Sequence, residues 1–145
     1  MKNWPLFLVT CFICSVTLIS CKRTSKTDTA DKTSEEITLI TDNEDQYPRD
    51  IDLLNKTVVS ERLKDLLGEE YEGMLEHFET QTPIVSVGKI YKFTGCEAHN
   101  CPNFLTTVYY DAKHDNFNVV ISKRGKVKVY AEGETISIPK ALDAK

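Results

Sequence analysis

The chain has 145 residues, 41% of them hydrophobic and 28% charged, with a net charge of −4 and a pI near 5.4. That length suits one domain with a real core. The acidic balance and the lack of a basic stripe argue against nucleic acid as a partner.

Residues 1–20 read as an export signal. Lys2 supplies the positive start, and Leu6-Phe7-Leu8-Val9 opens an apolar run that continues through Cys14, Val16, Leu18 and Ile19. The run is short for a membrane span and a strongly polar stretch follows it. It ends on Leu18-Ile19-Ser20-Cys21, which resembles the lipobox of bacterial lipoproteins. The resemblance implies a lipidated Cys21 and a cell-envelope location, and Lys22 in place of an aspartate implies the outer membrane. Each buried CH₂ of an acyl chain contributes roughly 0.8 kcal/mol to such an anchor.

The cysteine count then simplifies. Of five cysteines, Cys11 and Cys14 leave with the signal and Cys21 carries lipid, so Cys96 and Cys101 remain. In an oxidising compartment a disulfide between them is the default. A loop that short gains only roughly 2 kcal/mol from chain entropy, so its expected task is local shaping.

Residues 21–46, rich in Lys, Thr, Ser, Asp and Glu, read as a tether expected to be disordered. Ile37, Leu39 and Ile40 could form a brief strand or docking segment at its end. The domain is expected over residues 47–145. From Pro48 the pattern turns helical, with Ile51, Leu53 and Leu54 as an apolar patch. Ser60 can cap a helix carrying Leu63, Leu66 and Leu67 on one face, ended by Gly68. Glu69 to Thr80 reads as a second helix with Tyr71, Met74, Leu75 and Phe78 on one side and His77 at the boundary.

Pro83 stops the helices. Ile84–Val87 and Ile90–Phe93 read as strands around a bend or bulge at Gly88. Phe104–Tyr110, Phe117–Ser122 and Val127–Tyr130 follow, joined by a loop with His114 and by the turn Lys123-Arg124-Gly125-Lys126, an antiparallel meander. His114 reads as an exposed turn residue. Ile136, Ile138 and Leu142 close the core or form a last edge strand. Helices first and sheet second imply an α+β fold, short N-terminal helices packed on an antiparallel meander.

Charge divides the chain. Residues 28–79 hold 16 acidic and 5 basic side chains, a net −11, whereas residues 80–145 hold 6 and 9, a net +3. A basic protein partner would be steered to the acidic half, although such a surface also serves plain solubility.

The chemistry concentrates in Gly95-Cys96-Glu97-Ala98-His99-Asn100-Cys101-Pro102. Structural zinc needs four ligands and no second cluster supplies the fourth, so no metal and no cofactor are expected. The spacing is not Cys-x-x-Cys and lacks a βαβ context for redox work. A bonded sulfur is no nucleophile, and no acid–base pair stands beside the loop, so no enzyme is expected. Recognition remains. A closed, projecting loop loses little entropy on binding, and His99 can donate from its ring nitrogens. Its complement is a site holding carboxylates, such as a glycoside hydrolase cleft with two of them about 5–9 Å apart.

Cys96-Glu97-Ala98-His99-Asn100-Cys101, followed by Phe104-Leu105-Thr106-Thr107-Val108-Tyr109-Tyr110, resembles the Ivy-type inhibitors of vertebrate lysozyme. The family carries a Cys-x-x-His-x-Cys loop, usually with Lys-Pro before the histidine and Asp after it. The resemblance implies an α+β fold whose disulfide loop plugs the lysozyme cleft. Cys96 and Cys101 match the loop disulfide, and His99 the inhibitory histidine. Three positions depart from the pattern: Glu97 stands for Lys, Ala98 for Pro and Asn100 for Asp. Loss of proline is expected to loosen the loop, and an inward-pointing Glu97 would be repelled by a carboxylate-lined cleft. The alternative reading is a non-enzymatic envelope lipoprotein of the same fold that binds another cell-envelope or host protein.

Overall fold

The computed structural model describes residues 38–143. The signal, Cys21 and the tether as far as Ile37 lie outside the described residues. Residues 38–46, within the expected tether, pack onto the body. They begin in a helical turn over residues 38–41, where a strand or docking segment was one expectation. Ile40 is fully buried. The Asp45 N–H donates to the Ile84 carbonyl at 2.8 Å, and the Ile84 N–H returns to Gln46 at 2.9 Å.

The stretch after Pro48 is a run of turns, not a helix. Asp52 and Lys56 adopt positive φ, at 53° and 55°, which breaks the repeating right-handed conformation. The first long helix, α1 (Val58–Leu67), is capped by Thr57 and not by Ser60. The Thr57 hydroxyl accepts the Ser60 N–H at 3.1 Å, and the Ser60 hydroxyl accepts the Thr57 N–H at 2.9 Å. This is a capping box with Ser60, the third residue of the helix, as the reciprocal partner. Gly68, at φ 55°, ends the helix where expected. The second helix, α2 (Glu70–Glu76), is shorter than the sequence suggested. Its continuation is captured by the sheet, because the Glu79 N–H bonds the Cys96 carbonyl at 3.1 Å.

Six antiparallel strands follow: β1 (Thr80–Gln81), β2 (Val85–Val87), β3 (Ile90–Cys96), β4 (Phe104–Asp111), β5 (Asn116–Lys123) and β6 (Lys126–Ala131). The sheet order is β1-β3-β4-β5-β6, and β2 also pairs with β3. Thus β1 and β2 share one edge of β3, against Cys96 and Gly95 at one end and Ile90 to Lys92 at the other. Pro83 stands between them, a residue with no N–H to donate to a ladder. Gly88 forms the β2–β3 hairpin turn, at φ 67°, instead of a bulge within a strand.

Val59, Leu63, Leu67, Tyr71, Met74 and Phe78 from the helical half bury against Phe93, Val108, Tyr110, Phe117 and Val119 of the sheet. Each fully buried side chain of this size contributes roughly 1.5–3 kcal/mol. The protein is therefore α+β, as its order of elements implied. After β6 the chain forms no further strand among the described residues. It crosses the opposite face of the sheet and ends in α3 (Lys140–Asp143). Leu142 is fully buried there, and its carbonyl accepts the Lys92 ammonium at 2.8 Å.

Candidate functional site

The β3–β4 connection begins where Cys96 pairs with Leu105 and the strands part. Cys96 and Cys101 are joined by a disulfide with their Cα atoms 4.9 Å apart. Inside this ring the Asn100 N–H donates to the Glu97 carbonyl at 3.0 Å. His99, the third residue of that turn, adopts φ 61°. A positive φ at the third position with this hydrogen bond is the arrangement of a type II turn. Non-glycine residues rarely enter that region, and histidine is among those enriched in it. His99 is exposed. Among the described residues its ring has no hydrogen-bond, ion-pair or ring partner. The ring closure thus fixes the backbone and leaves the imidazole free.

The loop departures acquire physical meaning here. Glu97 does not face outward: one carboxylate oxygen lies 3.5 Å from His77 Nδ1, and the other accepts the Asn100 side-chain amide. An aspartate at position 100 would set two carboxylates against each other, whereas Asn100 donates. Ala98 occupies the second position of the turn, where proline is favoured. Without proline it keeps an N–H, and the Glu79 side chain accepts that N–H at 3.0 Å. A hydrogen bond from the strand edge therefore holds a backbone that a proline ring would otherwise stiffen. Asn100 also braces the exit, since its carbonyl accepts the Asn103 N–H at 2.9 Å and its side chain accepts the Asn103 amide at 2.7 Å.

Two elements clamp the base of the loop. His77, read from sequence as a boundary residue, caps the end of α2 and stacks on Phe104 with ring centroids 4.0 Å apart. On the same ring sit the Arg124 guanidinium at 5.6 Å and the Lys123 ammonium at 5.9 Å. Gly95, immediately before the ring, is required by Phe78: an added Cβ would lie 2.3 Å from its aromatic carbons. Sequence reasoning missed His77, Glu79, Phe78 and Phe104 as loop supports. The only signal for His77, Phe78 and Glu79 is proximity in sequence to β1, whose pairing with Cys96 brings them to the base of the loop, whereas Phe104 opens β4 directly after it.

His114 lies at the other end of the sheet, so the structure does not bring it to the loop. Its Nδ1 is 2.6 Å from Asp111. Burial pushes the Asp111 carboxyl up, but the His114 ring and the Lys113 and His114 N–H groups outweigh this and hold it below its usual value. Among the described residues no group of three or more His, Cys, Asp or Glu is placed to hold a metal.

A sheet end carrying a covalently closed, internally braced ring with one unengaged histidine defines a class of α+β domain that presents a stiff, exposed loop. Comparison with known families gives that class its particular member: the family described as inhibitor of vertebrate lysozyme (Ivy) matches residues 58–145, more than half of the chain, and the chain belongs to it. Lysozyme is accordingly the protein partner that the family indicates. No curated protein and no solved structure was matched.

Proposed function

We propose that this protein inhibits lysozyme by inserting the Cys96–Cys101 loop into the active-site cleft, with His99 placed between the two cleft carboxylates. The observation that carries this reading is the unengaged His99 ring on a closed turn. An imidazole so placed can donate to a carboxylate with little entropy lost, and a glycoside hydrolase cleft holds two carboxylates at a spacing it can bridge. Because Glu97 is turned back onto His77 and Asn100, it does not set a negative charge against them. Export through residues 1–20 and lipidation at Cys21 would hold the inhibitor at the cell envelope, in the outer membrane, where a lysozyme arrives from outside.

The test is a cell-wall lysis assay with a panel of lysozymes and protein whose disulfide has been verified by mass. Inhibition is expected, and reduction of the disulfide should abolish it. His99→Ala should weaken it at least tenfold, about 1.4 kcal/mol. Full activity of every lysozyme class in the presence of oxidised protein would sink the reading and redirect the search to another envelope protein. A His99→Ala variant as potent as the parent would move the contact away from the ring.

A further inference from the structure

We propose that the β5–β6 hairpin is a second arm of the same contact surface, its cations meeting carboxylates on the wall of the cleft that the His99 loop enters. This rests on the reading of the loop given above and adds a partner chemistry to it: an acidic patch on an otherwise basic protein.

Four cations fall within six residues, Lys123, Arg124, Lys126 and Lys128, in a chain of net charge −4. Lys128 is engaged by Glu70, which it holds below the usual carboxylate range. Lys123, Arg124 and Lys126 are exposed, and among the described residues none of them forms an ion pair. They line a cavity of about 360 Å³ together with Glu70, Ile121 and Lys128. Three acids near this end are already engaged: Glu97 by His77, Glu79 by the Ala98 N–H and Glu70 by Lys128. Lys123, Arg124 and Lys126 are thus left open to a partner, whereas these three carboxylates are engaged within the fold.

The hairpin is also fixed to the loop. The Arg124 N–H donates to the Asn103 carbonyl at 2.7 Å, and Arg124 and Lys123 lie over Phe104, whose carbonyl accepts the Glu97 N–H at 3.3 Å. Arg124 and Gly125 both adopt positive φ, at 52° and 78°. That is the two-residue turn whose twist matches the flanking strands, so the tip is preorganised. A simpler reading exists for the edge strand, because lysines on an exposed edge discourage pairing with another chain. It accounts for Lys126 and Lys128 but not for Lys123 and Arg124, which belong to the inner strand and the turn and lie against the loop's own base.

A charge reversal tests this by its sign. Lys123→Glu with Arg124→Glu takes the net charge from −4 to −8. If only long-range attraction to a basic lysozyme mattered, inhibition would strengthen. A local contact with cleft carboxylates predicts the opposite: inhibition at least fivefold weaker at low salt, with the gap narrowing as salt is raised. The same reversal at the far end, Lys89→Glu with Lys113→Glu, should not weaken inhibition. Lys123→Gln with Arg124→Gln, a smaller change that preserves the turn, should show an intermediate loss with unfolding unchanged. Inhibition by the Glu pair equal to or stronger than the parent overturns the hairpin contact and leaves the loop reading standing. Equal loss from both reversals also overturns it. Binding of the parent, but not of the Glu pair, to anionic lipid vesicles with equal inhibition by both would assign the cations to a membrane and overturn it likewise. A parent that inhibits no lysozyme removes the loop reading itself, and this contact with it.

Discussion

Each end of the sheet carries a histidine on the connection between neighbouring strands, and the two are held in opposite ways. At the β4–β5 end, His114 is bonded to Asp111, whose other oxygen accepts two backbone N–H groups. Beside it, Arg62 reaches from α1 to Asp115 at 2.8 Å and Glu132 at 2.5 Å, and lies over the Phe117 ring at 4.8 Å. Asp115 also accepts the Tyr110 hydroxyl at 3.0 Å. That end spends its polar groups on one another and ties the helical half to the sheet. At the β3–β4 end, the closure is covalent and the bracing is by backbone and carboxylate, so His99 keeps both ring nitrogens for something else. A histidine that is locally satisfied belongs to the fold, and one that the fold leaves unsatisfied at the tip of a stiff turn is available to a partner.

The sharpest way to break this division is at Gly95. Gly95→Ala drives a methyl group into the Phe78 ring, with carbons 2.3 Å apart where none can remain. Either the ring leaves the core or the root of the loop shifts. Overpacking of this kind costs about 3 kcal/mol. Urea unfolding should show a lower midpoint, and inhibition should fall with it because the loop springs from this residue. An unchanged midpoint would mean that Phe78 moves aside freely and does not fix the loop.

Arg62→Ala breaks the other end. It removes two ion contacts and the cover over Phe117, and leaves Asp115 and Glu132 without their shared cation. Loss of one partner in a fully buried network costs 3–5 kcal/mol. Arg62 is about a quarter exposed, with its side chain at 24%, and solvent screening lowers this to about 2 kcal/mol. Thermal unfolding should record the loss, while lysozyme inhibition measured well below the melting temperature should equal the parent's. A large drop in inhibition would show that the two ends are coupled and that the division is false.

The same division decided what could be read from the chain. The four main strands, the Gly68 stop and the disulfide are local: alternation, a glycine after an apolar face, and two thiols close in sequence in a chain expected to be exported. Their ranges were legible to within a residue, except that the strand read as Ile90–Phe93 runs on to Cys96 at the root of the loop. The helix caps were less so, because Thr57 and Ser60 are both good capping residues and only the chain's path shows which accepts from which. The run of turns after Pro48 was misread as helix, since Ile51, Leu53 and Leu54 have plausible helical spacing while positive φ at Asp52 and Lys56 leaves no pattern of apolar residues. Most hidden were the supports of the candidate site. His77 and Glu79 reach the loop through β1, a two-residue strand too short to announce itself, and the orientation of Glu97 follows from His77 and Asn100. The loop could be found in the sequence, but not what holds it.

Glu79 offers the finest test of that hold. Its carboxylate accepts the Ala98 N–H at 3.0 Å in an exposed setting, so Glu79→Ala should hardly alter folding, with water taking over the N–H. The loop, however, loses the bond that fixes the second position of its turn. The ordering cost then falls on binding, and inhibition should weaken about threefold, on the order of 0.7 kcal/mol. Ala98→Pro in the same variant should restore it, since proline has no N–H to satisfy and sets φ near −65°, the value this turn position takes. In the parent, Ala98→Pro merely exchanges one restraint for the other and should change inhibition little. Glu79→Ala and Ala98→Pro would thus be strongly non-additive, and a double-mutant cycle in inhibition constants measures the coupling directly. Additive effects would mean that the Glu79 bond does not stiffen the turn, leaving the disulfide and the Asn100 contacts as its restraints.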